Sequence, residues 1–206
     1  MTTETERFRQ IYDRAAQKYD RSESWERRIY GPNARAIVRE AHGETLEIAV
    51  GTGRNFALYP RDVRLTGIEL SDEMLEQSRA RAAELAFDAN LLQGDAQQLP
   101  FPDASFDTVV CTFALCTIPD DRKAVAEAHR VLRTGGALLL VEHVRSPNPL
   151  IRLFERIGDP IMHRIAGDHL LRDPLDYLTK SGFELERVER SRWGLLETVR
   201  ARATSS

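Results

Sequence analysis

Two hydrophobic rhythms alternate along this chain. Short apolar runs bounded by glycine, proline and aspartate occur at Leu46–Val50, Leu65–Leu70, Asn90–Gln93, Phe106–Phe113 and Ala137–His143, and they read as buried parallel strands. Between them lie stretches with helical spacing. Asp72–Leu85 is the clearest, with Met74, Leu75, Ser78, Ala82 and Leu85 on one face, arginines and glutamates opposite, and Ser71 as its cap. Arg122–Leu132 is a second helix, closed by a Thr134-Gly135-Gly136 turn. Two last strands, Phe183–Glu189 and Gly194–Ala201, are separated by only a short gap, which suits a hairpin. This alternation predicts an α/β fold, a mostly parallel seven-stranded sheet with helices on both faces and an antiparallel edge strand.

Length fits one domain spanning residues 1–206. Residues 1–42 read as an N-terminal helical cap, and 146–181 as a long excursion between strands on the substrate side. The polar start of the chain is unlike a signal peptide, and no apolar run approaches the ~18–20 residues of a membrane span. A cytoplasmic protein without stable membrane insertion is expected. A net charge of -3 gives no overall pull towards nucleic acid. Cys111 and Cys116 stand alone in an apolar run, so neither a disulfide framework nor a metal site is expected. Oligomeric state is not legible in these features.

Candidate chemistry gathers at the strand ends. The first strand runs into Glu47-Ile48-Ala49-Val50-Gly51-Thr52-Gly53-Arg54-Asn55. Glycines at a strand-to-helix turn let a ligand approach the backbone. The second strand ends at Glu69, where a carboxylate can accept ribose hydroxyls, and the third is followed by Asp95. A nicotinamide dinucleotide fits poorly, because Phe56 occupies the last glycine position of G-x-G-x-x-G.

Leu46–Asn55, Glu69 and Leu92–Phe101 together resemble the motifs of class I S-adenosylmethionine-dependent methyltransferases, whose Rossmann-like fold matches the sheet predicted above. Phe106–Val110 and Leu132–Val141 are similar to that family's fourth- and fifth-strand signatures. The resemblance implies S-adenosylmethionine as cofactor, with Glu69 on the ribose, Asp95 on the adenine amine and the Ala96 N–H on the ring. Tyr12 and Tyr19, in Tyr12-Asp13-Arg14-Ala15-Ala16-Gln17-Lys18-Tyr19-Asp20, resemble the segment that folds over the cofactor's methionine end in the small-molecule branch. Glu47, at the α-ammonium or bonded to the turn, and Ala49, Gly51, Gly53, Asn55, Leu70 and Cys111 complete the expected cofactor positions. Ala49 replaces the family's usual first glycine, which is tolerable where the backbone stays β-like.

Val110–Cys116, Glu142-His143-Val144, Gly158-Asp159-Pro160-x-x-His163 and Gly167-Asp168-His169-Leu170 look like the methyltransferase-like thiol methyltransferases and their bacterial phospholipid N-methyltransferase relatives. Asp168 stands where a cysteine is common in that group, and the animal members carry an N-terminal membrane anchor that this sequence lacks. The implied reaction is methyl transfer to a small hydrophobic thiol, amine or hydroxyl. Thiols are partly ionised near neutrality and need little help, whereas phenols need a base. His143, His163, His169 and Asp168 are the candidates for that role. Leu150–Ile165 is amphipathic, should be split in two by Pro160, and reads as a greasy lid, with Phe154 over the acceptor, that could also touch lipid. The rival readings are a nucleic-acid methyltransferase and a non-catalytic module that keeps the fold. The first lacks an Asn/Asp-Pro-Pro-Tyr-type motif at Cys111–Ala114, and the second conflicts with intact Gly51, Gly53, Glu69 and Asp95.

Overall fold

The computed structural model describes residues 2–22, 28, 30–31, 33–191 and 194–205; parts of the expected N-terminal cap lie outside them. The strands are β1 (Glu44–Ile48), β2 (Arg64–Glu69), β3 (Ala89–Gln93), β4 (Phe106–Thr112), β5 (Leu132–His143), β6 (Phe183–Arg190) and β7 (Leu196–Ala203). They form one seven-stranded sheet in the order β3-β2-β1-β4-β5-β7-β6. The first five run parallel, and β7 pairs antiparallel with both β5 and β6. The antiparallel strand thus sits one place in from the edge that β6 occupies. Strand order reverses between β1 and β4, which opens a crevice at their carboxyl ends.

Period-two alternation divides the core between the two faces. Leu46, Ile48, Val109, Leu138, Leu140 and Val199 face one side, and Leu65, Val110, Leu139 and Val141 the other. The first side is covered by α3 (Asp121–Val131) through Ala124, Val125, Ala128 and Val131, and by the short α5 (Leu175–Leu178). The second packs against Leu75 and Ala82 of α2 (Asp72–Glu84) and a 3-10 turn at Ala36–Glu40. Ser71 caps α2 as expected, accepting the Met74 N–H at 3.2 Å.

Two sequence expectations are corrected. Thr134-Gly135-Gly136 does not close a helix; it lies inside β5, where the register with β4 shifts between Phe106 and Thr108. Pro160 does not split the excursion, because α4 runs unbroken from Pro149 to Ile165. Pro160 lies on the exposed side of that helix, where the carbonyl losing its N–H partner can be solvated.

The helix α1 (Thr3–Tyr19) lies across the strand ends. The Ser71 hydroxyl donates to Asp13 at 2.6 Å, the Thr52 hydroxyl donates to Asp20 at 2.6 Å, and Asp20 also pairs with Arg54 and Arg81. Arg7 donates to the carbonyls of His163 and Arg164 at 3.1 Å each, tying α1 to the end of α4. Among the described residues, no helix is long and apolar enough to cross a membrane.

Candidate active site

Where β1 leaves the sheet, Ala49, Gly51 and Gly53 take φ values of 55°, 58° and 77°. The expected β-like Ala49 is therefore wrong: its methyl group sits in the left-handed region. Phe113, at the neighbouring end of β4, has φ 54°. Two strained non-glycine residues on adjacent strand ends mark a place where the surrounding structure dictates the backbone. Left-handed geometry costs alanine about 1–2 kcal/mol, and the greater unfolded freedom of glycine offsets about 0.5–1 kcal/mol of any relief. Ala49→Gly should therefore raise unfolding stability by about 0.5–1 kcal/mol in urea titration. A loss of stability would show that the methyl contact outweighs the strain.

The turn exposes the Gly51 N–H, which donates to Glu69 Oε2 at 2.9 Å, while the Ser71 N–H donates to Oε1 at 3.0 Å. Burial pushes the Glu69 carboxyl up, opposed by the Ser71, Gly51 and Leu70 N–H groups. Glu69 faces a narrow cavity of about 80 Å³ that also meets Ala49, Gly51, Leu70, Asp95 and Ala96. Ile68, Met74 and Ile118 supply apolar wall, and Phe8, Tyr12 and Tyr19 of α1 form the roof. The Asp95 carboxylate accepts from the Gln97 N–H and side-chain amide, at 2.9 Å each. Gln97 in turn reaches Thr5 of α1 at 3.3 Å.

A larger cleft of about 620 Å³ lies on the far side of Tyr12, Tyr19 and Phe113, which belong to both spaces. Its other walls include Ile11, Met162, Ile165 and Leu170, with Cys116, His143 and Asp168 as the groups able to do chemistry. Burial pushes the Asp168 carboxyl up to about 6, and its Oδ1 stands 4.0 Å from Cys116 Sγ. Burial also lowers the basicity of His143, whose Nδ1 is buried without a partner. Tyr12 and Tyr19 meet edge to face at 6.4 Å. Burial first, then the Asp168 and Tyr19 charges, hold the Tyr12 hydroxyl in its protonated form, and Thr117 bonds to it.

Several expected positions lie elsewhere. Glu47 is buried behind the turn, where its two oxygens accept from Asn55 at 2.7 Å and from the Tyr59 hydroxyl at 2.8 Å. Burial pushes its carboxyl up to about 7, and it does not line the cavity. Asn55 is consumed by that contact and by Thr112, and Gly53 packs against the Phe56 ring. Cys111 points into the core beneath the cavity, 3.7 Å from Glu142. His163 and His169 do not line the cleft. Their rings meet in a tilted contact with centroids 4.2 Å apart, and His163 also packs against Phe8 of α1. Phe154 is 74% exposed and faces away from both spaces.

Sequence reasoning also passed over residues that matter. Phe8 is one helical turn before Tyr12, a spacing that could have revealed it. Glu142 interrupts an apolar strand, itself a signal of a buried charge with a task. Its Oε1 accepts the Ala114 and Leu115 N–H groups at 2.8 and 3.0 Å, which shapes the turn after β4. Arg172 donates to the carbonyls of Leu115, Ile118 and Pro119 beneath the same turn, and nothing in the sequence marked it.

The family model described as a methyltransferase domain matches residues 46–140. A phosphatidylethanolamine N-methyltransferase of Cereibacter sphaeroides is 41% identical over 118 residues, which cover 56% of this chain and 58% of the relative. A thiol S-methyltransferase of Rattus norvegicus is 29% identical over 184 residues, covering 84% of this chain and 73% of the relative. The chain thus spans little more than half the length of the first of these. A solved SAM-dependent methyltransferase from Thermotoga maritima superimposes with a TM-score of 0.74 at 24% identity, covering 95% of this chain and 99% of that one, which shows the shared fold. The sheet order and the glycine turn thus accompany a similarity to methyltransferases that runs through the central sheet.

Proposed function

We propose that this chain methylates a small hydrophobic acceptor, a thiol, amine or hydroxyl, using S-adenosylmethionine. The observation that carries the reading is the paired architecture: a cavity ending on Glu69 and Asp95 shares its Tyr12, Tyr19 and Phe113 walls with an apolar cleft that holds Asp168.

The residues present fit the cofactor. Glu69 presents an oriented carboxylate for a diol, and a Cβ added at Gly51 would meet only Ala49 O, at 3.9 Å, so a ligand can approach the backbone there. Ile68, Leu70 and Met74 offer apolar surface for a purine, with Asp95 nearby for its amine.

When bound, S-adenosylmethionine supplies a methyl carbon activated by a positive sulfonium. The chain's own work is then alignment and dryness. The cleft would hold the acceptor with its nucleophilic atom towards the Tyr12, Tyr19 and Phe113 walls, across which the methyl group would be presented. Asp168 takes the proton that the acceptor sheds. Tyr12 and Tyr19 exclude water at the junction of the two spaces.

Acceptor chemistry can be tested with a homologous series of alkyl thiols. Each added methylene that enters the cleft contributes about 0.8 kcal/mol, so kcat/KM should rise roughly threefold to fourfold per carbon until the cleft is filled. A flat series, or a preference for small polar thiols, would contradict a hydrophobic acceptor.

A further inference from the structure

The helix α4 carries its apolar side outward. Leu150, Leu153, Phe154, Ile157, Ile161 and Ile165 are 53–74% exposed. Its inward side mixes Ile151 and Met162 with polar groups: Glu155 is buried and accepts the Ser146 N–H, and Asp159 accepts the Leu170 N–H at 2.7 Å. A helix that covers a soluble core has the reverse arrangement. At about 100° per residue the six apolar side chains fall in one stripe about 120° wide. The exposed charged residues of α4 are Arg156 and Arg164, both basic, Arg156 about 60° beyond one edge of that stripe and Arg164 within its span at the helix's last turn. Both acidic residues of the helix are on its inward side, so the outward face presents only grease and positive charge. Ile165 belongs to the stripe and also to the wall of the large cleft, with Ile11, Arg14 and Met162 around it.

We propose that α4 lies in the surface of an anionic lipid bilayer, its stripe among the acyl chains and Arg156 and Arg164 at the headgroups. Resting on the reading of the cleft above, the mouth beside Ile165 then draws its acceptor from the bilayer, which makes a membrane-dissolved amphiphile the substrate class. The charges favour this occupant over a second copy of the chain. A paired α4 would bring the Arg156 and Arg164 side chains of both copies to one seam, with no carboxylate on either outward face to neutralise them. Lipid phosphates supply that neutralisation, and acyl chains cover the whole stripe.

Sucrose-loaded vesicles of phosphatidylcholine, with and without phosphatidylglycerol, test this by co-sedimentation of the full chain. The wild type should bind the phosphatidylglycerol vesicles and lose binding as salt rises. Phe154→Ser with Ile157→Ser should weaken binding at least about tenfold, by removing two inserted side chains. Arg156→Gln with Arg164→Gln should weaken it by roughly thirtyfold on anionic vesicles and hardly at all on neutral ones. All four positions are exposed, so the fold should survive, and unchanged circular dichroism melting verifies that. No sedimentation of wild type, equal sedimentation of the serine variant, or a wild-type dimer that the serine variant abolishes would overturn the proposal. The assay needs no cofactor: if vesicles bind but S-adenosylhomocysteine does not, it is the reading of the catalytic site that fails, while the lipid surface stands.

Discussion

Glu69→Ala is expected to weaken S-adenosylhomocysteine binding by about ten- to a hundredfold in calorimetry, the effect of deleting a charge-assisted hydrogen-bond partner. The side chain also accepts the Gly51 and Ser71 N–H groups, so alanine could loosen the turn itself. Glu69→Gln gauges how much of the loss belongs to the turn. It keeps one carbonyl acceptor and a similar shape, but its NH2 replaces an oxygen that accepts the Gly51 or Ser71 N–H, so it should melt between the alanine variant and the wild type and bind several-fold more weakly than the wild type. Wild-type affinity in both variants would remove Glu69 from the cofactor site.

Asp168→Asn is expected to lower turnover of a phenolic acceptor by about a hundredfold or more, the usual range for losing a general base. The sign of the pH dependence follows from burial, which holds the Asp168 carboxyl near 6. The group can take a proton only when ionised, so wild-type activity should fall as pH drops through about 6. That limb should vanish in the asparagine variant. A thiol acceptor of cysteine-like acidity, assayed above its pKa of about 8.5, should barely notice the substitution because it arrives ionised. Equal losses for thiol and phenol would mean that Asp168 shapes the cleft and moves no proton.

The sheet and the crevice that gathers Gly51, Glu69 and Asp95 were legible because they obey local rules. Short apolar runs bounded by glycine, proline and aspartate located the strands, and the carboxyl ends of adjacent strands brought Gly51, Glu69 and Asp95 to one crevice without any knowledge of side-chain packing. Glu47, Asn55 and Cys111 lie in the same motifs, yet they point into the core. A strand's alternation and the turn's handedness decide that, and neither is fixed by residue type. The Ala49 backbone escaped for the same reason: a strained φ is imposed by the fold around it. The acceptor side depended on an excursion without regular period. There Asp168 and His143 line the cleft, while His163 and His169 pack against each other outside it. The amphipathicity of α4 was visible, but sequence pattern gives the contrast between two faces, not which of them meets the core.

The most direct test follows the methyl group itself. The full chain is incubated with methyl-labelled S-adenosylmethionine and a long-chain alkyl thiol, phenol or amine, and labelled acceptor and S-adenosylhomocysteine are quantified together. The account predicts label in at least one hydrophobic acceptor, one methyl per S-adenosylhomocysteine formed, and a sharp drop for Glu69→Ala at low cofactor concentration. Tight cofactor binding with no label in any hydrophobic acceptor would contradict it.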